Sequence, residues 1–125
     1  MTTATTPTLA EIADILDTAR AHIVRVGFCK KYLYSTPQQA NGLAPERCAV
    51  DLPGAIAVAV HGTPLHPVTP LTAAVEQAVA ARITAPSLAA WCDYKGNGKQ
   101  QALDLLRATA DRLRNANRNA SKEQL

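Results

Sequence analysis

Apolar residues recur at three- and four-residue steps twice along the chain, and each run predicts an amphipathic helix. The first run is Ile12, Ile15, Leu16, Ala19, Ile23 and Val26. Thr8 and Glu11 stand where a capping box needs them, and Gly27 supplies the left-handed stop. Acids (Glu11, Asp14, Asp17) precede arginines (Arg20, Arg25), the order that a helix dipole favours. The second run is Leu103, Leu106, Ala110 and Leu113, opening after the turn Lys95-Gly96-Asn97-Gly98-Lys99.

Between these runs the pattern is shorter. Tyr32 and Tyr34 alternate around Leu33, which predicts at most a two-stranded ribbon pairing residues 31–35 with 46–50. Pro37, Asn41-Gly42 and Pro45 mark a long loop. Asp51 is a cap for a helix through Ala55-Ile56-Ala57-Val58-Ala59-Val60, apolar on every side and so expected to be central. Thr69-Pro70 opens a further helix through Val75, Val79 and Ile83. Ala85-Pro86 begins a short one containing Leu88 and Trp91. The fold class is therefore mostly α: one domain over 9–114, a compact bundle of about five helices. Residues 1–8 read as a disordered leader, and 115–125 as a polar basic tail that frays. The expected core joins Ile12, Ile15, Leu16, Ile23, Ile56, Val60, Val79, Trp91, Leu103 and Leu106.

Composition narrows the class. Of 125 residues, 24 are Ala and five are aromatic, so the core must be built from small side chains with few large anchors. No apolar run approaches the ~20 residues of a membrane span. The start, Met1 to Thr8, has neither a basic nor an apolar stretch of the secretory kind, and a cytoplasmic location is expected.

Gly27-Phe28-Cys29, Cys48-Ala49 leading into Gly54-Ala55-Ile56, Leu88-Ala89-Ala90-Trp91-Cys92-Asp93, a glycine turn and a Leu-rich last helix follow in that order. This order resembles a family of small uncharacterised actinobacterial and phage proteins, over residues 9–114. In that family the corresponding places usually read Gly-Trp-Cys, Cys-x-x-Gly-Ala and Trp-Asn-Asp. Phe28 departs from Trp, Cys92 departs from Asn, and Pro53 and the long 29–48 loop alter the middle. The resemblance implies an intracellular, mostly helical domain of unknown function and assigns no catalytic residue.

Candidate chemistry is sparse. Cys29 and Cys48 could meet as a thiol pair, with His22 or His61 as a helper, but no closely spaced ligand pair points to zinc. Packed, reduced thiols are the plainer expectation, and neither metal nor cofactor is expected. Trp91 with Asp93 could form an aromatic ligand pocket, although a lone Trp more often anchors a core. Lys95 and Lys99 flank a helix start that could take an anion. Charge is uneven: residues 1–94 carry 6 basic and 7 acidic groups, and 95–125 carry 7 and 3. Arg107, Arg112 and Arg114 thus bias the last helix toward polyanions, unless Asp104 and Asp111 pair with them. The leading expectation is a non-catalytic interaction or regulatory module with a protein partner. Polyanion or nucleic-acid binding through the last helix comes second. A small enzyme or ligand-binding protein using Cys29, Cys48, His61 or Asp93 comes third, and no membrane partner is expected.

Overall fold

Thr8 starts the first helix through the reciprocal capping box with Glu11 that its sequence predicts. In this computed structural model, which describes residues 6–123, six α-helices follow one another. They are α1 (Leu9–Val26), α2 (Thr36–Ala40), α3 (Leu52–His61), α4 (Pro70–Ala80), α5 (Leu88–Asp93) and α6 (Lys99–Glu123). The expected leader lies mainly outside the described residues. Gly27 ends α1 at φ 98°, where a side chain would be strained.

Arg114, late in α6, meets Asp14 and Asp17, early in α1, so these two long helices run antiparallel. Ile12, Leu16, Ala19 and Ile23 of α1 and Ala102, Leu103, Leu106 and Ala110 of α6 are buried between them and α3 to α5. Small residues on both long helices let their axes approach closely. The core so formed also takes in Val50, Leu52, Ile56, Val75, Val79, Leu88 and Cys92.

Five expectations change. No ribbon forms: the only strand-like pairings among the described residues are two isolated bridges, Phe28 with Val50 and Tyr34 with Val50. Val50 is thus held between two segments, through Cys29 N–H to Val50 O at 2.9 Å and Val50 N–H to Gly27 O at 3.2 Å. Lys31, at φ 75°, breaks the first would-be strand, and a 3-10 turn over Pro45–Arg47 takes up the second. The loop also contains α2, because Ser35 caps it and Pro37 falls in its first turn, where proline is tolerated. α3 is buried only in its first half, Leu52 and Gly54 to Ala57, while Val58, Ala59 and Val60 are half-buried. Trp91 is half-buried too. α5 is one and a half turns long, and Leu88 and Cys92, four residues apart, take its inward positions. Finally, α6 continues through the polar run 115–120 to Glu123.

The candidate site

The ends of α1, α3 and α5 converge on one junction. Gly54 lies so close beneath the loop that a Cβ there would sit 2.0 Å from Leu33 O. Asp51 N–H donates to Leu33 O at 3.3 Å, and Asp51 Oδ1 accepts from Gly54 N–H at 2.7 Å as the α3 cap. On the far side, Asp93 Oδ1 accepts from Lys31 N–H at 2.6 Å. Lys30 Nζ donates to Tyr94 O at 2.6 Å and to Asn97 O, which closes the loop over the C-terminus of α5.

All three cysteines are free thiols, and each is absorbed by backbone. Cys29 Sγ donates to Ala49 O and to Tyr32 O, both at 3.4 Å. Cys48 Sγ donates to Ala44 O at 3.3 Å, and Cys92 Sγ accepts from Leu52 N–H at 3.5 Å. Burial, reinforced by the nearby Asp51 carboxylate, pushes Cys29 up to about 12. Burial likewise pushes Cys92 up to about 12, against the hydrogen bond from Leu52, and raises Cys48. A thiol is nucleophilic or metal-binding as thiolate, so burial works against both chemistries at these side chains. Asp51, only 5% exposed, is pushed up to about 7 by burial, opposed by the Gly54 hydrogen bond. Among the described residues, no group of three or more His, Cys, Asp or Glu is arranged to hold a metal ion.

The structure brings Cys29, Cys48 and Asp93 to this junction and leaves His61 elsewhere. His61 is at the far end of α3, roughly 15 Å of helix from the Asp51 end. There it stacks on His66, with ring centroids 3.7 Å apart, and its Nε2 faces Thr69 Oγ1 at 3.4 Å. Of the cationic candidates, Lys95, Lys99, Arg107 and Arg112 are exposed. Arg114 is not paired locally: it bridges to Asp14 at 2.8 Å and Asp17 at 2.7 Å on α1.

Trp91 forms one wall of an open cleft of about 490 Å³, with Thr84, Ala85, Pro86, Ala90, Tyr94 and Asn97. Asn97 Nδ2 donates to Trp91 O at 2.9 Å and so fixes the turn beneath it. Across the α5 ridge a second cleft, about 250 Å³, is lined by Pro53, Glu76, Ala80 and Leu88. A third, which shares Pro53 and Glu76 with it, reaches Leu33, Pro64, His66 and Val68. Leu33 (46%), Val68 (70%) and Tyr94 (67%) are large apolar or aromatic side chains left in solvent along this face.

A family model matches residues 7–112, which is most of the chain. The chain belongs to the family of unknown function DUF6197. Comparison with curated proteins and with solved structures finds no match to either. The DUF6197 match covers the whole junction, α1 and α6 as far as residue 112, and assigns no role to any residue in them. No described helix of this DUF6197 chain is long and apolar enough to cross a membrane.

Two participants were not legible as such. Cys92 reads in the sequence as a departure from a motif, yet it is a buried partner of the α3 N-terminus. Its i, i+4 relation to Leu88 is the signal that could have placed it inside. The apolar face has no local signal, because its residues come from four separate segments.

Proposed function

We propose that this chain is a non-catalytic interaction module that docks a protein segment on the face made by α4, α5 and the loops 30–35 and 63–68. One observation carries the reading: two clefts joined at Pro53 and Glu76 are bordered by solvent-exposed Leu33 and Val68, and a further cleft, walled by Trp91 and exposed Tyr94, opens on the other flank of α5. Contiguous exposed apolar surface of this kind marks interaction sites. The small-enzyme reading finds no activated nucleophile to support it, since the thiols are protonated and Asp51 and Asp93 accept backbone hydrogen bonds. Polyanion binding has less support than the sequence offered. Arg114 is engaged by α1, and Asp104 and Asp111 stand among the exposed Arg107 and Arg112.

The test is selection of peptides from a random display library on the wild-type protein and on a Leu33→Asp, Val68→Asp variant. Both changed residues are exposed, so the variant should fold. Peptides that bind wild type and lose about tenfold or more in affinity for the variant are expected. Failure to select any peptide that depends on this face would overturn the reading.

A further inference from the structure

Glu76 stands in the middle of the face. It lines both the Pro53–Leu88 cleft and the Leu33–Val68 cleft, whose walls are mainly apolar (Pro53, Ala80 and Leu88 on one side, Leu33, Pro64 and Val68 on the other), with Gln77, Ser87, Thr72 and His66 as the polar members. Its carboxylate is half-buried, and no hydrogen bond or ion pair to it occurs among the described residues. Another acid, Asp51, is close enough for the Glu76 charge to raise its cost of ionisation. Burial also pushes Glu76 itself upward. His66, in the same cleft, turns its Nδ1 to Pro67 O at 2.8 Å.

A carboxylate among mainly apolar walls, with a second acid nearby and no ion pair among the described residues, is poorly served by the free protein. Desolvating it further under an apolar ligand would be unfavourable unless the ligand brought a positive charge. Resting on the interaction reading above, we propose that the occupant is a peptide segment with a basic side chain, arginine or lysine, seated on Glu76 between apolar side chains that fill the two flanking clefts. Arginine fits best, because its planar fork can engage both carboxylate oxygens at once. The cation supplies selectivity and the apolar neighbours supply area, the usual division at such surfaces.

The same library selected in parallel on wild type and on Glu76→Gln tests this. Peptides from wild type are expected to share a basic residue flanked by apolar ones, and to bind Glu76→Gln about tenfold or more weakly. A peptide in which that residue is replaced by citrulline should bind wild type weakly and should not distinguish the two proteins. Face-dependent peptides without a shared basic residue, or equal affinity for both proteins, would overturn this inference while leaving the interaction reading standing. Loss of all face-dependent peptides would remove both. Salt-sensitive binding of a labelled oligothymidine, strengthened by Glu76→Gln, would make the occupant a polyanion and overturn it. Concentration-dependent dimerisation lost in Glu76→Gln would make the occupant a second copy of the chain and also overturn it.

Discussion

Asp51 and His22 are buried ionisable side chains that burial shifts in opposite directions, and both make stability depend on pH. Asp51 has a folded value of about 7 against 3.8 for a free carboxyl. The folded state therefore holds a proton that the unfolded state releases between those values. Stability from this group is complete below about pH 4 and is lost as pH rises through 7. Asn at this position keeps the acceptor for Gly54 N–H and cannot ionise. Asp51→Asn is expected to match wild type in urea unfolding at pH 3.5 and to exceed it at pH 8.5. A variant less stable than wild type at both values would contradict the account. His22 is 3% exposed, its Nε2 has no hydrogen-bond partner among the described residues, and burial lowers it from 6.5, helped by Arg25. Here the unfolded state binds the extra proton, so stability is complete above pH 6.5 and falls as pH drops below it. His22→Leu should flatten that acid limb in thermal melts between pH 7 and 5, and an unchanged slope would count against it. Helix caps were readable at this scale, since Thr8, Asp51 and Thr69 act through bonds within three residues. His22 was not readable. It shares the flank of α1 with Ile15, Ala19 and Val26, and nothing local distinguishes a buried histidine there from a solvated one.

The elements were legible in proportion to their length. α1 and α6 announce themselves by several turns of periodicity, and α4 by Thr69-Pro70. α2 has a local cap in Ser35 but is only five residues long and shows no periodicity, and the bridges at Val50 depend on partners far along the chain, so the alternation at Tyr32 to Tyr34 suggested a ribbon that tertiary packing replaces. That packing hinges on Gly54. The loop carbonyl of Leu33 lies where a Cβ would be, and the same carbonyl accepts from Asp51 N–H. Gly54→Ala must push the loop away from α3, breaking that bond and loosening the cover over Cys29 and Asp51. The expected cost is about 1–3 kcal/mol in urea unfolding, the range for overpacking at a closed contact. An accompanying rise in Cys29 alkylation by iodoacetamide is expected. A neutral substitution would mean the loop is not seated as described.

For the whole molecule, the mostly helical single domain followed from composition and periodicity, whereas the proposed face did not. Its residues, at 33, 53, 64, 68, 76, 88, 91 and 94, are brought together only by the packing of α3, α4 and α5, and no spacing rule connects them. Trp91 illustrates the difference. As a lone Trp in an Ala-rich chain it reads as a core anchor, with a truncation cost of roughly 3–5 kcal/mol. Half-buried as a cleft wall, it should cost about half that when cut to Ala, while peptide binding should fall more steeply. The measurement that bears most directly on the interaction reading is a nuclear magnetic resonance titration of the labelled protein with the strongest selected peptide. Shifts confined to Leu33, Val68, Glu76, Trp91, Tyr94 and their neighbours are expected. Shifts centred instead on Arg107 and Arg112 of α6, or on Cys29 and Asp93 at the junction, would contradict it.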